Sequence, residues 1–125
     1  MRRLKLALAG VGGYGAKHVQ AARVLEEENL AQIAAFAEPA EDSEAVAALK
    51  EGGARHYTAL DELLDNEKDV ELVCIAAPVP YHYRLAAEVL SRGLHLYLEK
   101  PPVVRIQDLR RLIRLEEQNN CFCVV

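Results

Sequence analysis

The stretch Leu4-Lys5-Leu6-Ala7-Leu8-Ala9-Gly10-Val11-Gly12-Gly13-Tyr14-Gly15-Ala16-Lys17-His18-Val19 decides how the rest of the chain is read. Leu4–Ala9 is an apolar run that ends in glycine and reads as a strand. Ala16–Glu28 carries Val19, Ala22 and Leu25 at helical spacing and ends in acids. Between the two, Gly10, Gly12 and Gly15 fit G-x-G-x-x-G. Each glycine has a mechanical reason. Gly10 permits a tight turn, Gly12 lets the backbone approach a pyrophosphate, and Gly15 lets the helix pack closely on the strand. The amides of Gly13 and Tyr14 then face the anion, aided by the helix dipole. A glycine-rich turn can be only a turn, and methyltransferases carry similar loops. A strand before it and a helix after it point to a nucleotide site.

Outward from this loop, apolar runs alternate with amphipathic ones. Ala31–Ala37 reads as a second strand and Asp42–Lys50 as a helix closed by Gly52 and Gly53. Arg55–Tyr57 reads as a short third strand. Thr58, with Asp61 three residues on, is a weak cap for a helix over Leu60–Leu64. Glu71–Ala77 is almost uninterrupted in its apolar character, as suits a strand covered on both faces. Tyr81–Arg92 reads as a helix with Gly93 at its left-handed cap. His95–Leu98 is a fifth strand, Ile106–Gln118 a helix and Cys121–Val125 a sixth strand. Such alternation implies parallel pairing and right-handed crossovers. The expected fold is a single α/β domain, a doubly wound parallel sheet of six strands with spatial order 3-2-1-4-5-6.

Composition narrows the function. A length of 125 residues suits one domain, and 51% hydrophobic residues suffice for one core. The net charge of −4 argues against nucleic acid or an anionic membrane recognised by bulk charge. Local geometry must therefore hold any phosphate. Cys74, Cys121 and Cys123 form no metal-ligand pattern and read as buried, reduced thiols. No signal peptide or membrane-crossing run is recognisable, so the expected location is the cytoplasm.

Three positions at strand ends carry the chemistry. Glu38 ends the second strand, 23 residues past Gly15, where an acid accepts hydrogen bonds from the ribose hydroxyls of NAD. Pro39, Ala40 and Glu41 offer no arginine for a 2′-phosphate, so NAD is expected over NADP. Ala77-Pro78-Val79-Pro80-Tyr81-His82 follows the fourth strand and Glu99-Lys100-Pro101-Pro102 the fifth. A lysine just past a buried strand suits proton transfer, because a lysine's pKa responds strongly to its surroundings.

On these motifs the whole chain from Leu4 to Val125 resembles the glucose–fructose oxidoreductase and inositol dehydrogenase (Gfo/Idh/MocA) family. GVGGYG with His18 is similar to its glycine loop, AAPVPYH to its T-P-x-x-x-H, and GLHLYLEKP to its G-K-H-V-x-x-E-K-P. The resemblance implies that Lys100 bonds the reacting substrate oxygen and helps position the nicotinamide. It implies that Glu99 and Pro101 shape that loop. Ala77 and Pro78 would line the nicotinamide-ribose side, with His82 nearby, and the Lys100–Pro101 peptide would be cis. Hydride would pass between NAD and a sugar- or cyclitol-like small molecule. Ala77, Val79 and Pro102 depart from the usual threonine, asparagine and leucine, which touches the nicotinamide side and not the fold.

Family members continue into a second domain that supplies the substrate pocket and a second acid–base histidine. Their oligomers, on this expectation, form through that domain. The chain on its own is therefore expected to bind NAD(H) weakly and to oxidise nothing. Two other functions remain open: a non-catalytic NAD-binding sensor, and NAD-assisted glycoside hydrolysis. The remaining polar residues have plain readings. His18 and His95 read as packed and His56 has no context. Arg105, Arg110, Arg111 and Arg114 form a solvated helix face.

Overall fold

The computed structural model describes residues 2–125. The elements run β1 (Leu4–Ala9), α1 (Gly15–Glu27), β2 (Ala31–Ala37), α2 (Glu44–Glu51), β3 (Arg55–Tyr57) and α3 (Leu60–Asn66). They continue with β4 (Leu72–Ile75), α4 (His82–Ser91), β5 (His95–Leu98), α5 (Ile106–Gln118) and β6 (Cys123–Val124). All strands pair in parallel, in the order β3-β2-β1-β4-β5-β6. The order reverses at β1, which lies between β2 and β4, so a crevice opens beyond the carboxyl ends of these strands.

Helices cover both faces, and strand side chains sort between them. Ala7, Ala9, Val73, Ile75, Leu96 and Leu98 face α3, α4 and α5, where Leu63, Val89 and Leu112 are buried. Leu6, Leu8, Ile33, Phe36 and Cys74 face α1 and α2, against Ala22, Val46 and Leu49. In β2 the run Ile33-Ala34-Ala35-Phe36 breaks strict alternation, since both alanines join the first cluster. A register shift opposite Leu6 and Ala7 absorbs the extra residue, so Phe36 still reaches the second core.

Several boundaries differ from the sequence expectation, each for a local reason. Thr58 does not cap α3: Ala59 occupies the cap position, and the Asp61 carboxylate accepts a bond from the Glu62 amide instead. α2 begins at Glu44 because the Ser43 hydroxyl takes the Val46 amide at 3.2 Å. β4 stops at Ile75, two residues early, and Ala76–Ala77 leave the sheet. A 3-10 turn, Val79–Tyr81, precedes α4, which starts at His82. β6 is confined to Cys123–Val124, so Cys121 precedes it. Gly93 takes the left-handed cap (φ +74°), and Asn29 (φ 60°) and Asn120 (φ 52°) do the same after α1 and α5. Cys74 is buried, but Cys121 and Cys123 are half-buried; all three are free. Burial, with a smaller contribution from Glu99, pushes the Cys74 thiol up to about 12.

The short β3 is tied down by charge. Glu67, 9% exposed just past α3, accepts both guanidinium bonds of Arg55 and the Tyr57 hydroxyl, the latter at 2.8 Å. The Arg55 bonds, with that of Tyr57, hold the Glu67 carboxyl below the usual carboxylate range against the opposing effect of burial. Glu67→Gln is therefore expected to cost about 1–3 kcal/mol at neutral pH. Because the folded carboxyl is depressed, its stabilisation is complete above the unfolded value of about 4.3 and disappears as pH falls through the folded one. Urea melts of both proteins near pH 7 and near about pH 3 check this: the gap should narrow in acid. A gap equal at both pH values would refute the ion pair as its source.

Candidate functional site

The glycine loop closes onto its neighbours from both sides. The Gly10 amide donates to Ala37 O at 2.9 Å, and with φ +87° a Cβ there would stand 2.9 Å from the Ala76 carbonyl. A Cβ on Gly15 would run into the Gly10 carbonyl, whose carbon would lie 2.8 Å away. Gly15 is buried beneath the loop, against Gly10 rather than the strand body, so it shapes the site without facing it. Gly12 differs. Its φ lies outside the left-handed region, and a Cβ would meet only the Glu38 carboxylate, at 4.0 Å. Nothing within the fold requires glycine at position 12, which leaves room for a molecule to press against the backbone. The amides of Gly12, Gly13 and Tyr14 meet no acceptor among the described residues, while those of Gly15, Ala16 and Lys17 bond back into the turn. Three unsatisfied donors at the start of a helix form an anion cradle.

Glu38 stands across from that cradle. Its carboxylate accepts the Val11 amide at 3.2 Å and the Ala40 amide at 3.1 Å, which fixes it at the lip of β2. His56, without context in the sequence, donates from Nε2 to Glu38 O at 2.8 Å in the fold, and its ring stacks on Phe36 at 4.8 Å. The signal was spatial, because β3 pairs His56 beside Phe36.

A cleft of about 1040 Å³ runs from Glu38 and Thr58 past Gly12 and Tyr14 to Ala77, Pro78 and Lys100. Its volume suits an extended small molecule. Arg84 of α4 also lines it, with its guanidinium 5.8 Å from the centre of the Tyr81 ring. The sequence carries no local signal for Arg84, which reaches the cleft from α4.

At the far end, the loop after β5 is held from two helices. Glu99 accepts the Lys100 amide at 2.9 Å and His18 Nε2 at 3.1 Å. The amide first, then the imidazole, hold the Glu99 carboxyl below its usual range. His18, expected as packing, thus reaches 81 residues along the chain to this loop. Its ring lies between those of Tyr14 (6.1 Å) and Tyr97 (5.4 Å). The Lys100–Pro101 peptide is cis. Lys100 is exposed on the cleft wall, and its ammonium makes no ion pair among the described residues. His82 is 1% exposed, with Nδ1 2.8 Å from Pro101 O and Nε2 2.8 Å from Ala77 O. Both ring nitrogens are therefore engaged by backbone. His95 stacks on Phe122 at 4.1 Å, and Arg111 pairs with Asp108, so these stay outside the site.

Comparison with known proteins agrees with this geometry. Residues 4–125 match the model of an oxidoreductase family with an NAD-binding Rossmann fold, Gfo/Idh/MocA. The chain is similar to the rhizopine catabolism protein MocA of Rhizobium meliloti, at 32% identity over 94% of this chain and 35% of that protein. It is similar to inositol 2-dehydrogenase of Salmonella paratyphi B, at 31% identity over 93% of this chain and 34% of that enzyme. Among solved structures, the WlbA dehydrogenase from Bordetella pertussis, in complex with NADH and UDP-GlcNAcA, superimposes with a TM-score of 0.85. That match has 25% identity and covers 99% of this chain and 38% of that one. The chain spans about a third of the length of these curated relatives.

The contrast between glycines is testable. Gly12→Ala should leave thermal stability within about 0.5 kcal/mol. It should weaken NADH binding at least about tenfold, equivalent to about 1.4 kcal/mol. Gly15→Ala should instead destabilise the fold by about 1–3 kcal/mol, as overpacking does. Melting curves and fluorescence titration with NADH check both; unchanged affinity in the Gly12 variant would remove the anion cradle from the binding site.

Proposed function

The chain belongs to the Gfo/Idh/MocA oxidoreductase family as its NAD-binding domain, and from that premise we propose that it is the cofactor half of a dehydrogenase or reductase of sugar- or cyclitol-like molecules. One observation carries the reading: a single cleft holds the amide cradle at Gly12–Tyr14, Glu38 on the β2 side and Lys100 on the β5 side. The cradle fits a pyrophosphate, since its donors are unpaired and Gly12 leaves the backbone open to close approach. Glu38 fits the adenosine ribose, its carboxylate already oriented by two backbone amides. Ala77 and Pro78 line the nicotinamide side, over which Lys100 projects. Bound NAD supplies hydride acceptance or donation at the nicotinamide ring.

The protein's own part in the reaction falls to Lys100. As hydride arrives at a carbonyl carbon, its ammonium donates a hydrogen bond and then the proton to the oxygen; as hydride leaves an alcohol, the neutral amine takes the hydroxyl proton and becomes the ammonium. Glu99 and His18 keep the backbone of that loop in place while the lysine tip stays free to meet substrate. The remaining walls of the substrate pocket, with a second acid–base group, come on this reading from a further domain. The relatives are about three times as long as this chain and accommodate one. Homo-oligomers would form through that domain, and the protein would act on small molecules in the cytoplasm.

NAD is preferred over NADP on the same reading. A 2′-phosphate about 4 Å from the Glu38 carboxylate would meet repulsion of roughly 1–4 kcal/mol per charge pair. Arg84, which also lines the cleft, sits on α4 with its guanidinium over the Tyr81 ring. Calorimetry with both cofactors should show NAD bound about 5-fold tighter or more; equal affinities would take Glu38 out of the ribose site. Lys100→Met in the intact enzyme should keep cofactor affinity while kcat and kcat/KM fall by about 10²–10⁴. Recovery of the rate at saturating NAD would make Lys100 a cofactor clamp and overturn its catalytic role.

A further inference from the structure

The most deeply buried polar side chain beside the cleft is His82, 1% exposed at the first turn of α4. A buried imidazole costs free energy unless its nitrogens are partnered. Here each nitrogen lies 2.8 Å from a carbonyl oxygen. Because a carbonyl only accepts, the ring donates to one of them when neutral and to both when protonated. The identity of the partners is informative. Neither belongs to the body of a helix or strand. Ala77 O lies on the segment leaving β4, and Pro101 O lies one residue past Lys100 on the segment leaving β5. One ring thus spans the two strand ends that face each other across the site.

No other tie joins these segments in the same way. β4 and β5 are paired only as far as Ile75 opposite Leu98, with the Glu99 amide donating back to Ile75 O. Beyond that point the ladder ends. Pro78, Pro101 and Pro102 have no amide hydrogen to continue it. Ala77 O and Pro101 O have no other donor among the described residues. The Glu99 ties to His18 and to the Lys100 amide hold the near side of Lys100; only His82 holds its far side.

We infer that His82 is a positioning residue for Lys100: by bridging Ala77 O and Pro101 O it fixes the lysine loop against the Ala77–Pro78 wall. This rests on the reading of Lys100 as the reacting group. It assigns to His82 a role distinct from touching cofactor, since both its ring nitrogens are spent on backbone. A rigid link matters because misplacement of a reacting group by about 1 Å can lower a rate about 100-fold.

Three variants and two readouts test it. His82→Phe keeps a ring and removes both nitrogens; His82→Gln keeps a donor of similar reach; Lys100→Met removes the reacting group. In this chain, acetic anhydride labelling followed by mass spectrometry reports the reactivity of each lysine, with Lys17, Lys50 and Lys68 as internal references. ADP-ribose titration reports the cradle and the Glu38 end. His82→Phe should change Lys100 labelling several-fold relative to the references with ADP-ribose affinity unchanged, and His82→Gln should restore part of it. In the intact enzyme, His82→Phe should lower kcat about 10- to 100-fold with KM for NAD little altered.

Unchanged Lys100 labelling in folded His82→Phe would overturn the proposal, leaving His82 a packing residue. Parallel loss of ADP-ribose affinity and of all lysine selectivity would overturn it too, as general destabilisation. If His82→Phe does not fold, His82→Leu, which also lacks both nitrogens, carries the same two readouts. Full turnover by Lys100→Met would refute the catalytic reading of the lysine, whereas the labelling result would still decide whether His82 positions it.

Discussion

The close approach of Gly15 to the Gly10 carbonyl is the constraint on which the rest depends. No side chain fits between these backbones, so the chain leaving β1 must turn at once into α1. Gly10, in the left-handed region, meanwhile lies against Ala76 as it leaves β4. Two glycines therefore bring three backbones together where the strand order reverses. The helix N-terminus is aimed over the ends of β1 and β4, and its first amides are left without partners. Burial of two apolar layers supplies the stability of the sheet, but this contact sets where the sheet presents its donors. The acidic character of the whole chain is no obstacle, because the cradle acts through local dipoles rather than net charge.

Much of this was legible in the sequence because it rests on local rules. The period of apolar residues marks each strand and helix, and alternation of the two fixes parallel pairing and hence the order found. The glycine loop is legible because position relative to a strand and a helix is part of the motif. Glu38 and Lys100 are legible because strand ends in such a sheet converge on one crevice. Where the sequence reading slipped, short-range competition decided the outcome. α3 starts at Leu60 as read, but with Ala59 rather than Thr58 at its cap position, and the backbone of Ala76 and Ala77, read as strand, lies against Gly10 instead.

The histidines and Arg84 were not legible. The partners of His18 and His56 lie 81 and 18 residues away, and no spacing rule connects them; Arg84 and His82 come to the cleft from α4, where the helical pattern alone does not say which face meets it. His18, His56 and His82 share a function that composition cannot reveal. Nε2 of His18, Nε2 of His56 and both ring nitrogens of His82 lie against strand-end loop atoms: the Glu99 carboxylate, the Glu38 carbonyl, and the Ala77 and Pro101 carbonyls. Three of the four histidines are thus spent holding strand-end loops, where ladder hydrogen bonds have run out.

That division of labour separates binding from chemistry. At the cradle and at Glu38, the groups that meet a ligand are backbone amides and a carboxylate already fixed by two amides; ordering them costs little when a ligand arrives. At the β5 end the backbone is equally fixed, from α1 through His18 and Glu99 and from α4 through His82. The lysine side chain beyond it is left without a partner among the described residues. A charged group held at its root and free at its tip is poorly suited to strengthening the fold. On the proposed reading, that freedom lets its nitrogen reach a substrate oxygen and exchange a proton with it. On the proposed reading the cofactor end of the cleft lies within this domain, and Lys100 is the donor that its β5 end would offer to a substrate.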